Sequence, residues 1–435
     1  MKKNIIHIIT HDTGRYIGCY GAPVNTPNID KLAKEGVIFT NYFCSAPQCS
    51  PSRASMFSGL FPHNNGVYGL AHRGFILKED IPYLPKILKE NGYKTYLFGI
   101  QHETSRDKSE KLGYQKVIKS KSMSCIDVVP DLLNFLDSKP EEPFFISVGF
   151  EETHLPWPFI ENFDKNIKVP DFLPDVEEVK KDMAGFNIVI DRVDKAIKQI
   201  IDGIKRNNLY DNTLIILTTD HGLPLPGAKA TLFDPGIGIF LIIRGEGFEG
   251  GRKINCLSSN IDLMPTILDY LKIEIPQNIE GKSLMPVLRG EMEEIRDEIF
   301  VELTYHAGYD PQRGIRTKRY KYIKNFEVRQ FYFPPNVDPS FSKEYFKKLG
   351  YFEKLRPFEF FFDLEKDPLE RENLIDKPEY KEIVETLRKK LIQKMKETEN
   401  PLLSGPVPLP ENGIISVPWG YNPEERWENI FKNYL

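Results

Sequence analysis

The 435-residue chain has no apolar run of the about 18 or more residues that a membrane-spanning helix requires. Its start, Met1-Lys2-Lys3-Asn4, leads directly into Ile5-Ile6-His7-Ile8-Ile9 with no signal-type apolar region or small-residue cleavage site, so a cytoplasmic protein is expected. Cysteine is scarce: Cys19, Cys44, Cys49, Cys125 and Cys256 form an odd, scattered set. This excludes a disulfide framework or a metal finger and suits a reducing compartment. Neither sign of charge dominates, with 58 basic and 62 acidic residues and a net charge of -4. No broad field exists for nucleic acid or an anionic membrane, so neither is an expected partner. An anionic substrate must therefore be met by a local pocket, and small or exo-attacked ligands fit better than a long polyanion. Internal repeats and low-complexity tracts are absent.

What is present is a core: 40% hydrophobic and 12% aromatic residues can fill one large domain and a smaller one. Asn4 to Thr10 reads as a strand buried on both faces of a parallel sheet. A helix is expected from Thr26-Pro27, a strand from Val37 to Phe43, a helix near Tyr83 to Asn91, and strands at Lys94 to Phe98 and Pro143 to Phe150. Val176 to Asn207 has helical spacing, with Gly185 and Gly203 as points of bending or breakage. Leu214 to Thr218 and Ile237 to Ile243 read as strands, and Ile261 to Leu271 as a helix interrupted by Pro265. From about Ile295 the pattern changes to short strands, at Ile299 to Leu303, Gly314 to Thr317, Tyr320 to Ile323 and Phe358 to Leu364, followed by an amphipathic helix, Tyr380 to Thr398. The expected division is 1-295 and 296-435, the second part ending in a Pro- and aromatic-rich tail packed on the body.

Three stretches carry chemistry. Cys49-Ser50-Pro51-Ser52-Arg53-Ala54-Ser55 reads as a helix start with Ser50 as N-cap, Pro51 at the first helical position and Gly59 as the left-handed close. Cys49 would then stand at the positive end of a helix dipole, with Arg53 placed to fork onto the oxygens of an anion. Two buried strands end in adjacent polar pairs, His11-Asp12 and Asp220-His221. Such strand exits are where open α/β sheets bind ligands, and these four side chains could converge on one divalent cation with residue 49.

Cys-x-Pro-Ser-Arg-Ala-Ser, continued by Gly59-Leu60 and Pro62-His63-Asn64-Asn65-Gly66, resembles the signature of the type I sulfatases. Similarity is greatest to the N-sulfoglucosamine sulfohydrolases (heparan N-sulfatases), through His63 to Leu70 and Asp220-His-Gly-Leu-Pro-Leu-Pro-Gly-Ala-Lys-Ala-Thr-Leu232. The resemblance implies an alkaline-phosphatase-like α/β fold, a large mainly parallel mixed sheet flanked by helices, with a smaller C-terminal antiparallel α+β domain. It implies that a formylglycine-generating or anaerobic sulfatase-maturating enzyme oxidises Cys49 to Cα-formylglycine. One hydroxyl of the hydrated aldehyde attacks sulfur and the other expels sulfate.

The same resemblance assigns Arg53, His102, His154 and Lys229 to catalysis beside Cys49, and Ser52, His154 and Lys229 to substrate binding. It assigns His11, Asp12, Cys49, Asp220 and His221 to the metal. His154 would assist the leaving group, Lys229 would hold the sulfate, and His102 would act as base when sulfate departs. The family's usual metal pairs are Asp-Asp and Asp-Asn, so His11 and His221 are departures. Calcium follows from the resemblance, whereas imidazole ligands favour manganese, zinc or iron. The lysine of the family's Gly-Lys-x-His segment is Ile100 here, with Arg15 and Arg73 as replacement cations and His63 as a support residue. A sulfated saccharide is the expected substrate and a homodimer the implied assembly. The alternatives are a phosphonate monoester hydrolase or phosphodiesterase and a non-catalytic saccharide-binding descendant.

Overall fold

The computed structural model describes residues 3-327, 329, 331-417, 420, 421 and 423. The β-branched run at the start forms β1 (Asn4–Thr10), buried along its whole length. The strands that follow are β2 (Val37–Phe39), β3 (Tyr42–Phe43), β4 (Lys94–Gly99), β5 (Lys116–Ile118), β6 (Phe144–Gly149), β7 (Thr213–Thr219), β8 (Leu241–Arg244), β9 (Arg252–Ile254) and β10 (Ser258–Ser259). Eight of them make one sheet in the order β5-β4-β6-β1-β7-β8-β2-β9. Pairing is parallel from β5 to β7, and β8 runs antiparallel to both β7 and β2.

Because successive side chains of a strand point to opposite faces, Ile5 and Ile9 of β1 join one apolar cluster and Ile6 and Ile8 another. The first cluster is covered by Met56 and Phe57 of the helix Cys49–Ser58 and by Leu263–Leu271. The second is covered by Cys125–Asp137 and Glu177–Arg206. Each fully buried isoleucine of β1 contributes about 1.5–3 kcal/mol, so the central strand is well fixed. The last strands, β11 (Glu298–Tyr305), β12 (Tyr309–Thr317), β13 (Tyr320–Asn325) and β14 (Glu359–Asp363), form a four-stranded antiparallel sheet. Val384, Leu387, Leu391 and Met395 of the helix Lys381–Glu397 pack against it. The expected fold class is the one observed.

Several local expectations change. Gln48, not Ser50, is the N-cap of Cys49–Ser58; the Ser50 hydroxyl instead accepts from the Ala71 N–H at 3.0 Å. Pro51 is therefore the third residue of the first turn, where its missing N–H still costs no helical bond, and Gly59 closes the helix at φ 67° as expected. The long helix Glu177–Arg206 runs unbroken through both glycines. Gly185 is where Pro158 lies against the helix, since an added Cβ would meet its carbonyl oxygen at 2.6 Å, and at Gly203 a Cβ would meet Leu133 at 2.3 Å. Close packing, not bending, accounts for these glycines.

Pro265 sits in the first turn of Leu263–Leu271 and does not interrupt it. The expected strand from Ile237 is instead a helical turn, Asp234–Ile237, opened by Pro235 at its start, before β8 at Leu241. Val37 to Phe43 divides into β2 and β3. The described part of the tail packs on the body: the Tyr305 hydroxyl donates to the Val407 carbonyl at 2.8 Å and the Ile414 N–H to that of Arg73 at 3.0 Å. Most of the expected tail beyond Val417 lies outside the described residues.

Candidate active site

Parallel register brings three strand exits side by side, because Thr10 pairs with Thr219 and Ile9 with Gly149. The β1 and β6 exits are joined by Thr153, whose N–H and hydroxyl both donate to the His11 carbonyl at 2.6 and 2.9 Å. The β1 and β7 exits are joined at Asp220, whose Oδ1 accepts from the backbone N–H groups of Asp12 and His221, each at 2.9 Å. Asp12 is held at φ 57° and His102 at φ 131°. Backbone of this kind in non-glycine residues persists where the surroundings over-determine it, as at functional sites.

The helix Cys49–Ser58 meets these exits end on. Cys49 is its first residue, 4% exposed, with Sγ 3.3 Å from His221 Nε2 and 3.9 Å from Asp12 Oδ1. Burial would push the thiol up, but His11, Lys229 and His221 together draw it well below its ordinary value. Arg53 donates Nε to Asp220 Oδ2 at 3.0 Å and Nη2 to the Thr10 carbonyl at 3.2 Å, so it clamps both exits. Ser52 is turned inward: its hydroxyl donates to the Asp220 carbonyl and accepts from Asn260 at 2.9 Å. Ser52, expected to bind substrate, is fully buried with these two partners.

On the far side of Asp12, Lys229 Nζ donates to Asp12 Oδ2 at 2.7 Å, to Asp338 Oδ2 at 2.8 Å and to His154 Nε2 at 3.1 Å. His154 Nδ1 donates to the Leu155 carbonyl, which turns Nε2 toward the cluster. His102 Nδ1 lies 3.2 Å from His11 Nε2, and burial pushes His102 down to about 4 against the pull of Cys49. For His11, burial is outweighed by Asp220, Cys49 and Asp12, which raise it to about 9. Burial would raise both carboxylates, yet Lys229 and His221 hold Asp12 low and His11 and His221 hold Asp220 low.

The donor set suits a divalent cation. Ligand atoms of His11, Asp12, Cys49 and Asp220 lie within 4.8 Å of one another. His11 Nδ1 is 2.8 Å from Asp12 Oδ1 without a well-aligned hydrogen bond between them, so the buried ring and carboxylate face each other at close range. His221 Nδ1 donates to the Gly222 carbonyl at 3.0 Å, leaving Nε2 aimed at Asp12 Oδ1 at 3.0 Å. Fixing one imidazole nitrogen in this way presents the other as a ligand.

Other expected residues have other partners. Arg15 donates to the Tyr42 carbonyl at 2.9 Å and stacks on Phe43, and Arg73 holds the Ala307 carbonyl at 2.9 Å and Ser416 at 3.2 Å. His63 bonds Glu302 at 2.8 Å and supports the loop after the helix. Three residues were missed in the sequence: Asp338; His306, pushed down to about 3 by burial and by Lys229; and Glu103, pushed up to about 7 by burial against the pull of Arg53. Asp338 follows a Pro-Pro-Asn-Val stretch with no periodic signal, so only the fold brings it to Lys229.

Comparison with known proteins accords with this geometry. The sulfatase family model matches residues 3–273. The chain belongs to the sulfatase family. A second model, the C-terminal region of N-sulphoglucosamine sulphohydrolase, matches residues 228–339 of this sulfatase. An ulvan-active sulfatase of Formosa agariphila is 29% identical, over 94% of this chain and 83% of the relative. The human N-sulphoglucosamine sulphohydrolase is 25% identical, over 93% and 92%. A solved 2-O GAG sulfatase shares the fold at a TM-score of 0.74 and 23% identity, covering 93% of this chain and 94% of its own. The sulfatase is thus a hydrolase of sulfate esters or sulfamates. No helix among its described residues is long and apolar enough to cross a membrane.

Proposed function

We propose that this sulfatase cleaves the sulfamate of N-sulfoglucosamine units in heparin- or heparan-type saccharides, with a nucleophile made from Cys49 and a divalent metal. The observation that carries the reading is the placement of Cys49, first in a buried helix, beside His221 and Asp12, with Lys229 and His154 across Asp12. Similarity to the N-sulphoglucosamine sulphohydrolase models supports the substrate class.

His11, Asp12, Asp220 and His221 would hold the cation, which supplies Lewis acidity toward a sulfate oxygen when bound. Carboxylates alone suit calcium, whereas the two imidazoles bring the set toward manganese or zinc. A hydrated formylglycine at position 49, made by a maturation enzyme, supplies both the attacking hydroxyl and the one that releases sulfate. Arg53 keeps Asp220 in place. Lys229 turns from its carboxylates to the sulfate oxygens, where a cation opposes charge growing in the transition state. Once Lys229 turns away, His154 Nε2, its acceptor in the resting site, is freed to carry the proton that the departing nitrogen needs, and His102, kept neutral by burial, takes a proton as sulfate leaves. A division near residue 295 is supported by the separate sheet that begins at Glu298.

The test is sulfate release from N-sulfoglucosamine by protein co-expressed with a maturation enzyme, with an O-sulfated sugar and a phosphonate monoester alongside and bound metal measured by mass spectrometry. Release from the sulfamate, absent in Cys49→Ala, is expected. Aldehyde-bearing, metal-loaded protein that leaves the sulfamate intact would end this reading.

A further inference from the structure

The sulfate-facing cations are accounted for, but Asp338 is not. A carboxylate beside a site for anions repels its substrate unless it recognises something else, and its surroundings define what that is. Ligand atoms of Asp338, His154 and Asp12 lie within 4.8 Å of one another, so the carboxylate adjoins the proton donor of the leaving group. Asp338 Oδ2 accepts from Lys229, while Oδ1 has no donor among the described residues and the side chain remains 14% exposed.

The loop that holds it is stiff. Just beyond Asp338, the N–H groups of Phe341 and Ser342 donate to the buried Asp182 of the long helix at 3.2 and 2.7 Å. The opposite loop, which carries His154, packs on the same helix through Pro158 at Gly185 and through Trp157, whose ring lies 5.2 Å from Phe186. Both walls therefore hang on one rigid element. Between them lies a groove of about 280 Å³ that begins at Leu155 and Pro339, the neighbours of His154 and Asp338. At its lip Phe159 and Phe341, 62% and 40% exposed, stand with ring centroids 5.7 Å apart. A groove lined mainly by proline and aromatic side chains suits the apolar face of a pyranose ring.

We propose that Asp338 reads the amine of the departing amino sugar and that the groove between the two loops seats its ring. This rests on the sulfamate reading above. Hydrolysis adds water across S–N: the electron pair stays on nitrogen, oxygen goes to sulfur, and both protons end on nitrogen, giving an ammonium and sulfate dianion. An alcohol leaving from an O-sulfate gains no such charge. A carboxylate in contact with the nitrogen favours the cation and so discriminates between the two leaving groups. Asp338 is a specificity-determining residue in this account, and its bond to Lys229 keeps it neutralised until substrate arrives.

The test compares matured wild type with Asp338→Asn on N-sulfoglucosamine and glucosamine 6-O-sulfate, and measures by calorimetry the binding of glucosamine and N-acetylglucosamine to the unmatured protein. A loss in kcat/KM at least tenfold larger for the sulfamate, with glucosamine binding weakened at least tenfold and N-acetylglucosamine binding unchanged, is expected. Equal losses on both substrates would reduce Asp338 to a prop for Lys229 and overturn the proposal. Should wild type spare the sulfamate, the functional reading fails separately. The binding arm then still decides: a glucosamine preference that Asp338→Asn erases upholds Asp338 as amine reader, and no preference overturns it.

Discussion

Two buried charge clusters lie in this molecule, and they are wired in opposite ways. Around Glu302, donors and acceptors alternate: the carboxylate accepts from His63 N–H at 2.9 Å, His63 Nδ1 at 2.8 Å and Asn400 at 3.2 Å. Arg313 lies 3.1 Å away and spends its other nitrogens on the Leu303 carbonyl and Thr304. Around Asp12 and Asp220, imidazoles and carboxylates from three strand exits crowd together, and one lysine is shared among two carboxylates and an imidazole. In the first cluster both oxygens of the carboxylate have protein donors. The second gathers ligand atoms of His11, Asp12, Cys49 and Asp220 within 4.8 Å of one another, where they could hold a metal ion. Burial of charge alone therefore does not mark a functional site; the convergence of ligand atoms does.

That contrast can be broken at either end. Cys49→Ala should cut turnover on the order of 10⁴-fold or more while leaving the thermal midpoint nearly unchanged, since Sγ makes no structural bond that the helix requires; a collapse of the melting transition would contradict the contrast. Glu302→Gln should do the reverse. It leaves Arg313 and His63 buried against a neutral amide, costing about 3–5 kcal/mol in urea unfolding, with kcat per folded molecule preserved. Loss of kcat without loss of stability would join the two clusters functionally.

His154→Ala sharpens the catalytic side. Removing a leaving-group acid should lower kcat by roughly 10²–10³-fold on a sulfamate and far less on an aryl sulfate, whose phenolate leaves unaided; equal losses would mean that the ring serves only to hold Lys229. Acid sharpens the structural side. Burial would raise Glu302, but His63 and Arg313 take it down to about 2 from an unfolded value near 4.5. Its stabilisation is therefore fully present above pH about 4.5 and is lost as pH falls toward about 2, amounting to about 3 kcal/mol. Wild type should lose this increment in denaturant titrations across that window, and Glu302→Gln should not.

The sequence made one cluster readable and hid the other. His11-Asp12 and Asp220-His221 each follow an unbroken β-branched run, and a parallel sheet places such exits together whatever lies between them. The Cys49 strip stood out by its resemblance to the sulfatase signature. By contrast, Glu302, Arg313 and His63 come from short strands and a turn with no periodic signature, and Asp338 lies in an irregular loop whose position depends on Asp182 of a distant helix. Ser50 looked like a cap because serine before proline often is one. Tertiary packing placed the boundary at Gln48 and gave the serine hydroxyl to Ala71. Gly185 and Gly203 looked like breaks because spacing along one helix says nothing about what presses on it.

All ten residues of the helix Cys49–Ser58 are buried, and the cluster that its first residue faces extends through Lys229 to Asp338. That fixes an order of events in time. About 290 residues separate the strip from the last wall of its pocket, and at roughly 5–20 residues per second of synthesis the strip waits some ~15–60 s before the pocket can close. For that interval it is an accessible peptide, and afterwards it is interior. If position 49 is oxidised as proposed, the enzyme that reads Cys-x-Pro-x-Arg has to reach the strip before this helix is buried.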